Sequence, residues 1–334
     1  MIERSRISTI DWVRGIAILS VILLHTLPTE VLVGSFSFLH IGQAVPLFLF
    51  ITFFLSFKGE QERDDIFQSY FTKSRISKLL RQVVIPFFVV VGLQIGVSIV
   101  KNWNQISFWS LISGIQGRGP GSYYLWVYLQ LWFLIPFLYW LFKRLKEYGF
   151  LILLLVCIAL NYVCVRLGIS ESLYRLTCIR YLFLSVPAYM YLTKHKYNKT
   201  YNWLVTFGVI LSLVFFFFLK NIDLSPFVLK LGWSTQQWPT YFWTLAVFSA
   251  LLWCGNRIHS SNKFFQILCW LGRNSWYIFL AQMFILSYLK RDSFVFTSNS
   301  FVSSLCLILL TLFLSVVPAL ILDHFKNKKL FKNG

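Results

Sequence analysis

Two ionisable side chains, Arg14 and His25, stand eleven positions apart in a mostly apolar stretch, IDWVRGIAILSVILLH, that covers residues 10–25. On an α-helix, with ~100° per residue, this spacing returns both side chains to within ~20° of one face and separates them by ~16 Å along the axis. Imidazole has an ordinary pKa near ~6.5, so its neutral form is available to accept a proton near neutral pH. This is the chemistry of a general base that activates an alcohol for attack on an activated acyl group.

Asp11 precedes Arg14 by three residues and falls close to the same stripe of the helix. At that spacing its carboxylate can pair with the guanidinium, which lowers the cost of placing a cation at a membrane boundary. Ionisable groups within a span usually face a bundle interior or a wet cavity, and we therefore predict that all three residues belong to a functional site. Two plainer interpretations stay open. His25 would then be a neutral histidine hydrogen-bonded to a neighbouring helix, and Arg14 a side chain that reaches from the helix end to the lipid surface.

The composition indicates the class of protein that must position these residues. Of the 334 residues, 57% are hydrophobic and only 13% are charged, and the mean hydropathy is +0.67. Apolar runs of ~20 residues, long enough to cross a bilayer, recur along the chain. We predict an all-α, polytopic membrane protein with about ten transmembrane helices, and a single domain over residues 1–334 with no appended soluble domain. The predicted spans are 9–27, 38–57, 80–100, 122–142, 149–166, 176–193, 202–219, 239–255, 265–289 and 301–322.

The formal net charge is +19, and most of the Lys and Arg residues that produce it lie in the loops between these spans. With the amino terminus inside, twenty Lys and Arg residues fall on the inner side and nine on the outer side. This bias predicts a multi-pass protein of the cytoplasmic membrane with both termini in the cytoplasm. Attraction to anionic lipid explains the charge, so the lipid bilayer, and not a nucleic acid, is the expected partner. The six cysteines lack paired spacing, and we predict neither a disulfide framework nor a metal site.

The stretch DWVRGIAILSVILLH resembles the opening signature of the integral-membrane acyltransferase-3 family, in which an Arg or Lys precedes a His by this spacing. Later stretches extend the resemblance over essentially the whole chain. In GQAVPLFLFITFFLSF, from Gly42, Phe48 and Phe50 match the family pattern, whereas Thr52 stands where Ser is usual and Phe53 where Gly is usual.

Three further stretches carry the resemblance. YFTKSRISKLLRQVVIPFF, from Tyr70, is similar to the basic start of the family's third span, and YYLWVYLQLWFLIPFL, from Tyr123, to its fourth span. WLGRNSWYIFLAQMF, from Trp270, is similar to a late block in which Phe279 here replaces Tyr and Gln282 takes the position of a His. A hydrogen-bonding group is therefore kept at that position, but a titratable one is not.

The resemblance implies an O-acyltransferase that takes an acyl group, in the usual case acetyl, from cytoplasmic acyl-CoA. The implied acceptor is a sugar hydroxyl on an envelope or extracellular glycan. His25 would be the general base or a transient acyl carrier, and Arg14 would hold or polarise the donor. An alternative is an exporter of a polysaccharide or glycan intermediate, because a polar stripe through a helical bundle also suits a conduit. Two outer segments, 101–122 and 220–239, hold tryptophan and amide side chains that suit sugar rings or anchoring at the interface.

Other polar residues are candidates for binding donor or acceptor. Arginine binds phosphate through its planar fork, and lysine as a point charge. The candidates for the CoA phosphates, besides Arg14, are Arg75, Lys78, Arg81 and Arg273. The candidates for orienting substrate or stabilising the oxyanion are Asp11, Thr52, Gln130, Asn274, Ser275 and Gln282. For the cations the alternative is a solvated inner face, and for the uncharged groups it is hydrogen bonding between helices.

Overall fold

The fold is entirely helical in the part of the chain that the computed structural model describes, which is residues 8–61, 63, 66–102, 120–193, 198–219, 236–289 and 300–332. The α-helices in chain order are α1 (Ser8–Thr26), α2 (Thr29–Gly34), α3 (Ala44–Glu60), α4 (Ile66–Tyr70), α5 (Lys73–Leu79), α6 (Ile85–Asn102), α7 (Tyr124–Leu145), α8 (Glu147–Arg166), α9 (Glu171–Arg175), α10 (Ser185–Thr193), α11 (Asn198–Val214), α12 (Tyr241–Arg257), α13 (Lys263–Arg273), α14 (Ser275–Tyr288) and α15 (Ser300–Lys332). Most of the two outer segments, 101–122 and 220–239, lies outside the described residues.

Seven helical stretches in the described residues are long and apolar enough to cross a membrane. They are Ser8–Thr26, Ser37–Glu60, Lys73–Val97, Tyr124–Leu145, Glu147–Arg166, Tyr201–Leu219 and Val302–Ile321, and α14 is a shorter apolar helix. The prediction of an all-helical, multi-pass membrane protein is confirmed. The count of about ten spans is compatible with these helices without being fixed by them.

Two predicted spans differ from the structure in an informative way. The span 265–289 is divided into α13 and α14 at Asn274, whose side-chain amide donates to the Trp270 carbonyl at 3.1 Å. The exposed Lys263, Gln266 and Arg273 lie on the opposite side of α13 from its buried residues, as expected of an amphipathic helix. The third span begins at Lys73 and not at residue 80, with a π-helical turn over Leu80–Val84 just before Pro86. Proline cannot donate to the preceding turn, and such a turn is one way to absorb the missing bond.

The chain forms two compact units. The terminal unit comprises Met1–Ser37, Leu79–Ser122 and Cys254–Gly334, and the central unit comprises Phe38–Lys78 and Tyr123–Trp253. In the terminal unit, α1 packs along α13 and also contacts α14 and α15, while α14 packs along α15 and contacts α6. This unit contains the first helix, and so both residues of the opening motif.

In the central unit, α3 packs against α10 and α7 through buried aromatic rings such as those of Phe50 and Phe57. Three segments of 3-10 helix, Ile41–Gln43, Ile179–Leu184 and Trp238–Thr240, join this unit through buried hydrogen bonds. The Tyr181 hydroxyl donates to Gln236 Oε1 at 2.6 Å, and the Thr244 hydroxyl donates to Gln43 Oε1 at 2.8 Å. Within a membrane, backbone that is not α-helical is tolerated only where it is buried in protein or lines a wet cavity. The buried hydrogen bonds show that these 3-10 segments are enclosed by protein.

Candidate active site

The first helix is continuous from Ser8 to Thr26 and carries Arg14 near one end and His25 near the other. Both side chains are partly exposed. Between them, the same stripe of α1 is formed by Ile18 and Val21, which are 0% and 3% exposed. The helix therefore has polar groups at the two ends of the stripe and apolar side chains between them.

Asp11 and Arg14 pair as their spacing predicts. Arg14 Nη1 lies 3.9 Å from Asp11 Oδ1, which is an ion pair beyond hydrogen-bonding distance. The carboxylate side chain is 6% exposed and the guanidinium side chain 30% exposed. The buried carboxylate therefore lies beside a cation that reaches solvent or lipid headgroups.

Close backbone packing holds this end of α1 against α13. A Cβ atom on Gly272 would lie 1.8 Å from the carbonyl oxygen of Asp11, and one on Gly15 would lie 2.0 Å from the carbonyl oxygen of Leu268. Only glycine fits at either position, because no flexible side chain is there to move aside. The residues next to these glycines are Arg14 and Arg273, so the contact fixes the backbone that carries both arginines.

We expect Gly272→Ala to lower the free energy of unfolding by ~1–3 kcal/mol or more, because the new methyl group overlaps main-chain atoms of α1. Gly96→Ala is the matched control, since that helical glycine has no atom within 4 Å of the position of a Cβ. The control should be neutral or slightly stabilising, because alanine favours helix. The thermal unfolding midpoints of both variants in detergent micelles would be compared with that of the unsubstituted protein. Equal midpoints for the two variants would contradict the backbone contact.

The late block of the sequence places four candidate residues where α13 ends and α14 begins. Arg273 is exposed, Asn274 is buried and closes α13, and Ser275 opens α14 partly buried. Gln282, in the middle of α14, is 0% exposed. Neither the oxygen nor the nitrogen of its amide has a hydrogen-bond partner among the described residues.

The structure gives two other candidates local partners. The Thr52 hydroxyl donates to the Phe48 carbonyl at 2.9 Å, one turn earlier in α3. Gln130 Nε2 donates to the Leu176 carbonyl at 2.7 Å, and its Oε1 accepts from the Cys178 amide at 2.9 Å. Gln130 thus holds the loop before the 3-10 segment, which is the interhelical alternative that the sequence left open.

A buried carboxylate that sequence reasoning missed organises the basic residues of the central unit. Glu60, at the end of α3, is 0% exposed and accepts from Arg75 Nη1 at 2.7 Å and from the Ser69 hydroxyl at 3.0 Å. Arg63 Nη1 lies 3.5 Å from the same carboxylate, and the Arg75 guanidinium lies over the ring of Tyr70 at 5.0 Å. We call these five residues the Glu60 cluster. The acid and base three residues apart, at the end of an apolar helix, are the signal that could have revealed it.

Arg75, which belongs to the Glu60 cluster, is held more firmly than the two basic residues that follow it in the motif. Burial raises the pKa of the Tyr70 hydroxyl well above its ordinary value, so the ring beneath Arg75 stays neutral. Lys78 and Arg81 are exposed. Arg75 is therefore held in a fixed geometry, whereas the next two basic residues of the motif extend from the protein surface.

Within the described residues, no group of three or more His, Cys, Asp or Glu side chains is arranged to hold a metal ion. The candidate residues fall in both units. Asp11, Arg14, His25, Arg81, Arg273, Asn274, Ser275 and Gln282 belong to the terminal unit, and Thr52, Arg75, Lys78 and Gln130 to the central unit.

Apolar helices long enough to span a bilayer, the first of which carries ionisable side chains on one stripe, define a multi-pass integral membrane protein. The sequence profile of the acyltransferase domain named acyltransferase 3 matches residues 7–321. The chain belongs to the acyltransferase-3 family and is a membrane acyltransferase. Neither a curated protein nor a solved structure matches the chain.

Proposed function

We propose that the protein transfers an acyl group, in the simplest case acetyl, from cytoplasmic acyl-CoA to a hydroxyl of an envelope or extracellular glycan. The observation that carries the proposal is the first helix, which presents a guanidinium and an imidazole ~16 Å apart on one stripe. That separation is comparable with an extended pantetheine arm. Membership of an acyltransferase family supports the same chemistry.

We further propose that the protein lies in the cytoplasmic membrane with both termini in the cytoplasm, on the basis of the charge bias of its loops. In this orientation Arg14 lies near the inner surface, where the CoA phosphates would be, and His25 lies toward the outer side. The thioester would then reach the imidazole while the nucleotide stays inside.

In the proposed reaction, the imidazole of His25 accepts the proton of the acceptor hydroxyl as its oxygen attacks the thioester carbonyl. The tetrahedral intermediate collapses with cleavage of the carbon–sulfur bond, and the CoA thiolate leaves. The imidazolium returns its proton to the thiolate, so the products are the ester and free CoA. In the second version of the step, His25 attacks the thioester itself and carries the acyl group to the acceptor.

The other candidates have distinct proposed roles. Arg14 holds or polarises the donor, and the exposed Arg81 and Arg273 are available for CoA phosphates. Arg75 can add to phosphate binding only through those N–H groups that Glu60 leaves available. Asn274, Ser275 and Gln282 are proposed to orient substrate or to donate to the oxyanion.

Deletion of the protein tests transfer against export. Under the transferase proposal, cells that lack the protein display normal amounts of surface glycan with fewer base-labile acyl groups, measured as acyl released by mild alkali per unit of glycan. Glycan retained inside the cell would instead support the exporter. Normal display together with a normal acyl content would contradict both.

A further inference from the structure

Three polar side chains of the terminal unit that are completely buried keep polar atoms without a hydrogen-bond partner among the described residues. They are Gln282 on α14 and Thr311 and Ser315 on α15, and each is 0% exposed. The atoms concerned are both polar atoms of the Gln282 amide and the two hydroxyl oxygens. Burying a polar group without a partner is costly, and native structures rarely leave such groups unpaired. These atoms therefore indicate something polar that occupies this place when the protein works.

The two hydroxyls lie on the buried side of α15. That side is a single stripe made mostly of small or hydroxyl-bearing residues, namely Ser304, Leu307, Thr311, Ser315 and Ala319. Helix α15 packs along α14, and both helices contact α1. The stripe is buried within the same group of helices that carries Arg14 and His25.

The three side chains lie at similar depth. The indole of Trp270 donates to Asp323 Oδ2 at 3.0 Å, which places the start of α14 near the far end of α15. Because the start of one helix lies near the far end of the other and the two pack along each other, α14 and α15 run antiparallel. Along α14, Gln282 is eight residues from the break at Asn274, and along α15, Ser315 is eight residues from Asp323. Thr311 is one turn further from Asp323.

The stripe of α1 that carries Arg14 and His25 is apolar in its middle. Ile18 and Val21 separate Arg14 from His25, so α1 itself provides no polar side chain on that stripe between the two. A polar molecule that passes from one end of the stripe to the other needs hydrogen-bond partners from the helices that face α1. Gln282, Thr311 and Ser315, on the two helices that contact α1 in this way, carry both donors and acceptors.

We propose that Gln282, Thr311 and Ser315 bind the pantetheine arm of the acyl-CoA donor by hydrogen bonds to its two amide groups. This inference rests on the proposed function, which supplies the donor. Each secondary amide carries one N–H donor and one carbonyl acceptor, and both need partners in a membrane interior. The two amides are separated by two methylene groups, a distance similar to the ~5–6 Å between side chains four residues apart on a helix.

The chemistry of the three groups favours the arm over an oxyanion. An oxyanion needs hydrogen-bond donors only. In Gln282 the acceptor oxygen lacks a partner among the described residues as well as the donor nitrogen. A carboxamide paired side by side with a secondary amide satisfies both atoms, and a hydroxyl can donate to one amide and accept from it.

The test measures the affinity of the purified full-length protein for CoA and for adenosine 3′,5′-bisphosphate, which lacks the arm. Gln282→Leu and the double variant Thr311→Val, Ser315→Ala should each weaken CoA binding by roughly tenfold, the usual effect of losing about one buried hydrogen-bonded group. Affinity for the bisphosphate should not change. Thr311→Ser keeps the hydroxyl and should bind CoA as the unsubstituted protein does.

The stability of the unliganded protein is a second measurement. If the three residues only supported the fold, their replacement would lower this stability. Replacing an unpartnered buried hydroxyl by an apolar group of the same shape is neutral or stabilising. The thermal unfolding midpoint of the unliganded double variant should therefore stay level or rise while its CoA affinity falls. Ser303→Ala, on the same helix but off the buried stripe, is the control and should leave the affinity for CoA unchanged.

The outcomes separate this inference from the proposed function. Failure of the unsubstituted protein to bind CoA would overturn the proposed donor, and the inference with it. CoA binding that is the same in the unsubstituted protein and in both the Gln282 and the double variants would overturn the inference alone. Equal weakening of CoA and bisphosphate binding would also overturn it, because the three residues would then act on the nucleotide or on the fold.

Discussion

Replacing His25 by alanine is expected to lower the rate of acyl transfer by about 10²–10⁴-fold, which is the usual contribution of a general base. The imidazole lies at the end of α1 away from Arg14 and is partly exposed, so its removal leaves no large cavity in the packed part of the helix. The variant should therefore insert and unfold like the unsubstituted protein. The measurement is transfer of labelled acetyl groups from acetyl-CoA to glycan in proteoliposomes.

His259→Ala is the matched control for this experiment. That histidine is exposed, and its Nδ1 lies 2.7 Å from the Ser261 hydroxyl, so its loss should leave the transfer rate unchanged. Full activity of the His25 variant would refute the assignment of this residue as base or acyl carrier. A labelled acyl group trapped on the protein in the absence of acceptor, and lost in the His25 variant, would favour the acyl carrier over the base.

Replacing Arg75 by methionine is expected to destabilise the protein by about 3 kcal/mol. Removing one partner of a buried ion pair leaves an uncompensated charge and costs ~3–5 kcal/mol. The lower end applies here, because Arg75 is itself 27% exposed and the fully buried Glu60 keeps Ser69 and Arg63 as partners. Chemical unfolding in mixed micelles provides the free energy of unfolding.

Two companion variants show whether the carboxylate is the cause. Lys78→Met removes an exposed cation one turn later and should change the free energy of unfolding by no more than ~0.5 kcal/mol. Adding Glu60→Gln to Arg75→Met removes the stranded charge and should restore most of the stability, which gives a coupling energy for the pair. A double variant less stable than Arg75→Met would contradict the ion-pair explanation. If Arg75 also binds CoA phosphate, the KM for acetyl-CoA will stay raised in the stabilised double variant.

The local features of the protein could be read from its sequence. The first helix follows from an apolar run with a basic start, and the Asp11–Arg14 pair follows from a spacing of three residues. Both depend on neighbours in the chain, where helix geometry alone decides which side chains meet. The break at Asn274 was missed, although Gly272, Arg273 and Asn274 form a typical helix end. The hydrophobicity of the whole segment 265–289 concealed it.

Contacts between distant segments could not be predicted in this way. Gln130 was predicted to be a substrate-binding amide, but in the structure both polar atoms of its side chain form hydrogen bonds with the loop around Leu176. No role was predicted for Glu60, yet packing buries it against Arg75, fifteen residues later.

The sequence alone therefore determined the membrane class, the family and the motif on the first helix, because composition and short spacings act within one helix. Only the tertiary structure decided which polar groups are buried, including Gln282 on α14 and Thr311 and Ser315 on α15, two helices that pack along each other. In a membrane protein most spans are similarly apolar, and their order and rotation are set by packing between helices. A serine or threonine inside an apolar run gives no sign of whether it faces lipid, another helix or a ligand until that packing is known.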